Sequence, residues 1–168
     1  MVVFVTAACS SSTPPVDRSP LGSATAPPLE CGVVSRQAIG RAIGMDNFYA
    51  SGSTSPARFS HCVVAASPGL SDKASMTIEL HDPSPSTVES LEYTKAKDGG
   101  ADLPVGTAPG YSATIRDTDG AVVGGKAMAW TQSGKKLLVV QIVRGAPGRD
   151  HQADAVEFIR GLRPLLLT

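Results

Sequence analysis

The chain has 168 residues, about one domain's worth once a polar leader is set aside, and can bury one modest core. Lys plus Arg and Asp plus Glu each number 15, so no global field draws in nucleic acid or an acidic surface. There is no basic run interleaved with aromatics and no Cys/His ligand spacing, so nucleic acid is not expected as a partner, and no metal or organic cofactor is expected either.

Residues 1–8 form an apolar run far shorter than the roughly 20 residues that span a bilayer, so the run is not a transmembrane helix. It reads as the end of a secretory signal. No basic n-region precedes Val2, so the signal is expected to be longer or to start upstream. Thr6, Ala7 and Ala8 are small residues directly before Cys9, and a polar tract opens at Ser10. Bacterial lipoprotein signals end in this way: the peptidase accepts small side chains before a cysteine whose thiol carries diacylglycerol. Two acyl chains, at roughly 0.8 kcal/mol per buried CH₂, then anchor stably where one would not. Lipid attachment at Cys9 is the expectation, and an incidental cysteine in a disordered tail is the competing reading.

The cysteine count favours the first, because three cysteines leave an odd thiol in an oxidising compartment unless one is modified. With Cys9 lipidated, Cys31 and Cys62 form the only possible disulfide, closing a loop of about 30 residues worth roughly 3–4 kcal/mol. Two buried free thiols would instead require a reduced, unexported chain.

Residues 10–29 are Ser, Thr, Pro, Ala and Gly with almost nothing to bury, the composition of a flexible tether. The folded domain is expected over 31–168. Val34, Ser35 and Ile39 predict a short helix with Ser35 as N-cap, a Val34–Ile39 staple and Gly44 beyond its end. A polar loop through Gly52 and Pro56 leads to a strand over 59–66, where Cys62 and Val64 share a face. Over 74–81, Met76, Ile78 and Leu80 alternate with Thr77, Glu79 and His81, the period of a strand with one wet face. Ser86 and Glu89 predict a capping box opening a helix through Val88 and Leu91, closed by Gly99 and Gly100. Strands follow over 111–116, 121–131 and 135–143, separated by Asp119-Gly120 and Ser133-Gly134 turns, and the last is apolar on both faces and so central. A final helix over 150–163 buries Val156, Ile159 and Leu162, with Pro164 as its stop. The expected class is α+β: an antiparallel sheet of about five strands with helices mainly on one face, in the order α-β-β-α-β-β-β-α.

Cys31-Gly32-Val33-Val34-Ser35, the terminating Gly44, the strand cysteine Cys62, the turn containing Gly110 and the closing hairpin plus helix carry a resemblance. Over residues 31–165 the chain resembles the small cell-envelope lipoproteins of actinobacteria whose domain has no assigned function. That resemblance implies a surface-anchored, non-enzymatic α+β domain and carries over no functional residues.

Catalytic and binding motifs each meet a simpler reading. Gly120 to Lys126 has the Gly and Lys spacing of a phosphate loop, but Ala127 stands where Ser or Thr would bind Mg²⁺, and a strand follows instead of a helix. Asp117-Thr118-Asp119-Gly120 lacks the later ligands of a calcium loop and reads as a hairpin turn. His61, His81 and His151 have no paired spacing; His81 reads as a solvated strand residue, His151 as a first-turn helix residue and His61 as a structural group. No Gly-x-Ser-x-Gly elbow occurs, and Glu89 with Glu92 and Asp154 with Glu157 sit where solvated helix charges are normal. Tyr111 and Trp130 are the candidate contact residues, since amphipathic aromatics favour interfaces, but each sits in a strand, where a core or half-buried place is the favoured competing reading. The functional expectation is a lipid-anchored, non-catalytic binding or accessory module on the extracytoplasmic face of the cell membrane. Its partner would be an unidentified envelope protein, glycan or lipid. The alternatives are a small envelope hydrolase or a lipid or small-molecule carrier, and, by fold analogy alone, a sensor domain.

Overall fold

The structure is a computed structural model that describes residues 15–69 and 73–168; Cys9 lies outside the described residues. Nine strands and three α-helices follow in the order β1 (Leu29–Glu30), β2 (Val34–Ser35), α1 (Arg36–Ile43), β3 (Tyr49–Gly52), β4 (His61–Ala65), β5 (Met76–His81), α2 (Val88–Asp98), β6 (Ala101–Asp102), β7 (Gly110–Arg116), β8 (Val122–Trp130), β9 (Leu137–Ile142) and α3 (His151–Leu166) among the described residues. Strands β3 to β9 form one antiparallel sheet in the spatial order β3-β4-β5-β9-β8-β7-β6, and β1 and β2 pair apart from it. The α+β class is therefore met, but the sheet has seven strands rather than about five, and the element order differs. The additional strands β3 and β6 are edge strands of four and two residues, held by backbone pairing to one neighbour each. Such short edges carry no apolar alternation for a sequence to display.

Alternate residues along each strand feed two cores. Cys62, Val64, Met76, Ile78, Ala127, Ala129, Leu138, Val140 and Ile142 belong to the larger, with Ile39 and Ile43 of α1 and Phe158, Ile159 and Leu162 of α3. On the opposite face Leu91 of α2 packs with Tyr111, Ala113, Trp130, Leu137 and Val139. Thus β9 is buried on both sides, as its continuous apolar run predicts, and α2 lies across the sheet from the other two helices.

Local signals explain most helix ends. The Ser35 side chain accepts from the Ala38 N–H and Gly44 takes the left-handed C-cap of α1. The expected Ser86/Glu89 box is displaced by one residue: Thr87 is the cap, its hydroxyl accepting from the Ser90 N–H at 3.3 Å. Pro164 does not stop α3, which runs on to Leu166. A proline in the last turn forfeits one backbone hydrogen bond, and the extra turn buries Leu166 in the main core.

The expected tether is the largest departure. From Asp17 onward residues 17–30 form a strap bound to the helical layer: Leu21 and Ala24 are buried, the Leu21 N–H donates to Glu157 at 2.8 Å and the Ser35 N–H donates to the Ala24 carbonyl at 2.7 Å. Its start is fixed by Arg149, whose guanidinium reaches both Asp154 oxygens (2.9 and 2.7 Å), Asp17 Oδ2 (3.0 Å) and the Ser19 carbonyl (2.7 Å). Composition hides this because the strap is held largely by backbone groups and one distant arginine.

The Cys31–Cys62 disulfide joins the turn between β1 and β2 to β4. Farther across the sheet, Gly125 of β8 lies beneath the first turn of α3, where a Cβ would fall 2.2 Å from the Gln152 nitrogen, and a Cβ on Gly124 would fall 2.1 Å from the Ile142 carbonyl. Close packing of a helix on a strand accounts for the first glycine and close approach of the chain at the end of β9 for the second.

Arg149 and Asp154 side chains are 8% and 3% exposed, so Arg149→Ala strands a buried carboxylate and is expected to cost about 3–5 kcal/mol in urea unfolding. Arg18, 75% exposed in its pair with Asp150, serves as the contrast: Arg18→Ala leaves the unfolding midpoint nearly unchanged.

Candidate functional site

An open groove of about 440 Å³ lies on the outer side of α1. This volume falls within the range of ligand pockets, about 300–1,000 Å³. Helix α1 builds it because its apolar residues Ile39 and Ile43 turn to the core, which leaves Arg36, Gln37, Gly40 and Arg41 on the other side. Gly40 has no side chain to hold off the returning chain, and the Met45 N–H donates to the Gly40 carbonyl at 3.1 Å. The segment that follows supplies the far wall through Met45, Asp46 and Phe48.

Two guanidinium groups border the groove in different states. Arg36 lies 4.3 Å from the centre of the Phe48 ring, donates to Glu30 at 2.5 Å and donates to the Asp46 carbonyl at 3.3 Å, so it is committed to the wall. Arg41 donates to the Leu21 and Pro20 carbonyls at 3.2 and 3.5 Å, and no ion pair with a carboxylate is found for it among the described residues. An apolar wall of Pro28, Met45 and Phe48 beside an arginine without a carboxylate partner suits a ligand that has both an apolar part and an anionic group. Sequence reasoning passed over these residues because Arg36 and Arg41 read as a solvated helix face. The one available signal was Phe48, an aromatic in an otherwise polar loop.

The residues singled out from sequence go elsewhere. Tyr111 and Trp130, the candidate contact residues, are 0% and 2% exposed and pack edge to face with ring centres 6.4 Å apart. They are core residues, as the competing reading has it, and the contact role is corrected. The Tyr111 hydroxyl donates to Asp98 at 2.7 Å, and Lys126 Nζ lies 2.6 Å from the same carboxylate. Lys126 of the glycine-rich motif, on β8, is thus a partner of Asp98 at the end of α2. Burial pushes the Asp98 carboxyl up, but the Lys126 and Tyr111 hydrogen bonds outweigh it and hold its pKa below the usual value. The Asp117–Gly120 segment is a hairpin turn in which Asp117 Oδ1 accepts from the Asp119 and Ala121 N–H groups.

The histidines stay apart. His61 is exposed on β4 with Nδ1 3.0 Å from the Ser60 hydroxyl, and His81 Nε2 lies 3.2 Å from Glu79. His151 opens α3 with its ring against Gly145, and its Nδ1 is buried without a hydrogen-bond partner among the described residues. No three His, Cys, Asp or Glu side chains among the described residues group closely enough to hold a metal ion. The Ser60–His61 pair lies outside the groove and is the only Ser–His hydrogen bond among the described residues.

The buried Tyr111 phenol gives a direct test of the Asp98 network. Burial, then the Asp98 hydrogen bond and charge, raise its pKa far above the ordinary tyrosine value. A raised folded-state pKa contributes stability that is complete below the unfolded pKa, about 10, and is lost as pH climbs toward the folded value. Unfolding free energy should therefore fall above about pH 10, and Tyr111→Phe should remove that part of the alkaline loss while lowering stability at neutral pH. Denaturant titrations across pH check both. Comparison with protein-family models, curated proteins and solved structures finds no match to this chain.

Proposed function

We propose that the chain is a lipid-anchored, extracytoplasmic lipoprotein of the cell envelope that works as a non-catalytic binding module, with the α1 groove as its contact site. The pairing of Cys31 with Cys62 carries this reading, because it leaves Cys9 as the unpaired cysteine of three, directly after Thr6-Ala7-Ala8. A disulfide belongs to an oxidising compartment, and an odd cysteine there calls for a modification. Diacylglycerol on Cys9 meets that need and fixes the location at once. The resemblance to small actinobacterial envelope lipoproteins points the same way.

The groove gives the module something to bind with. Its apolar wall and the Arg41 guanidinium favour an amphiphile with a carboxylate or phosphate, or a peptide segment bearing one. Carriage of a small molecule is the second reading, favoured by the groove's volume and its Met45 and Phe48 lining.

Intact-mass analysis of the protein extracted from native membranes tests the anchor. The expected species begins at Cys9, carries a diacylglyceryl group and has Cys31 and Cys62 oxidised. A soluble, unmodified protein with all three thiols titratable would refute the reading.

A further inference from the structure

We propose that the surface where the strap begins, formed around Val16 and Val122, rests against the lipid bilayer to which Cys9 is attached. This rests on the anchor reading above and adds an orientation to it. The two valines are 57% and 54% exposed, and they line one shallow depression of about 250 Å³ beside the first turn of α3.

Leash length selects this face. The chain is fixed at Asp17, whose N–H donates to the Gly148 carbonyl at 2.8 Å and whose carbonyl accepts from the Asp150 N–H at 3.0 Å, with Arg149 on its carboxylate. Only residues 10–16 are left between Cys9 and that clamp, which reach at most about 25 Å when fully drawn out. A domain of this size has a radius of gyration of about 15 Å and is wider than that leash. The clamped end therefore stays turned to the membrane.

The chemistry of that end suits a bilayer. Of its nearby arginines, Arg18 is paired with Asp150 at 2.8 Å and Arg149 with Asp154 and Asp17, whereas Arg116 donates to the Gly120 carbonyl at 2.8 Å and has no ion pair among the described residues, which leaves its charge to face lipid phosphates. The valine methyls can enter the headgroup boundary beside it. Tethering supplies a high local concentration of lipid, so a patch too small to bind membranes from solution can remain seated. The opposite end of α3, about 24 Å away along a 16-residue helix, carries the fully exposed Val105 in the loop whose Gly106 carbonyl accepts from Arg163.

With Cys31 and Cys62 paired, the full chain produced without the lipid can be coupled through the Cys9 thiol to a maleimide phospholipid in phosphatidylcholine vesicles. Trp130, the only tryptophan, is 2% exposed and gives a shielded emission baseline. Val122→Trp, Val16→Trp and Val105→Trp each add one emitter at an exposed position. With brominated acyl chains, the emission added at 122 and at 16 should be mostly lost and that added at 105 retained. Equal quenching at both ends, or none at 122 and 16, would overturn the proposal. Intact mass reports separately on the native anchor, so the two failures are distinguishable.

Discussion

Arg149 is the point on which the helical layer depends. It stands between β9 and α3, and its five-donor fork is shared between Asp154 in the first turn of α3 and the Asp17–Ser19 segment 130 residues away in sequence. With the side chain 8% exposed, the charge is tolerable only because Asp154, 3% exposed, meets it with both oxygens. One guanidinium therefore fixes where α3 starts and where the strap is seated. Leu21 and Ala24 in turn close the core over α3, where the Ala24 methyl occupies the space that Gly161 leaves open. The disulfide works at the other end of the strap, so the segment is clamped twice before α1 begins.

How much of this the sequence displayed follows from which interactions are local. Ser35 and Gly44, which cap α1, act within a few residues and were readable, as was the alternation of Met76, Ile78 and Leu80 against wet neighbours in β5. The strap was not, because Ser, Pro and Gly say nothing about a partner more than a hundred residues away. Pro164 misled for a related reason: a rule about helix interiors met a final turn whose burial of Leu166 outweighs one missing hydrogen bond.

The site shows the same division. Tyr111 and Trp130 stood out as large amphipathic side chains, yet the hydroxyl of Tyr111 finds its partner inside the fold at Asp98, which removes the reason to place it at an interface. Apart from Phe48, which covers Arg36, the α1 groove depends on features with no separate sequence signature: a helix face that could have been plain solvent-facing charge and a glycine that admits the returning chain. Its recognition required the tertiary position of residues 45–48 against α1. The glycine-rich stretch at 120–126 runs the opposite way, since its spacing suggests phosphate chemistry while Gly120 serves the turn at a positive φ and Gly125 makes room for the first turn of α3.

Seating the strap changes what a lipid at Cys9 would do mechanically. A leash running to residue 29 would let the domain turn freely and search a wide shell above the membrane; one that ends at Asp17 restricts both height and rotation. The helical layer, the α1 groove and the first turn of α3 are then presented in a narrow set of orientations. For a chain anchored as proposed, part of the entropy of finding a membrane-proximal ligand would be lost in folding the strap, before any encounter. For a groove with one arginine lacking a carboxylate partner and a short apolar wall, such pre-orientation can contribute as much to useful affinity as another contact would, and it originates in the Arg149 clamp.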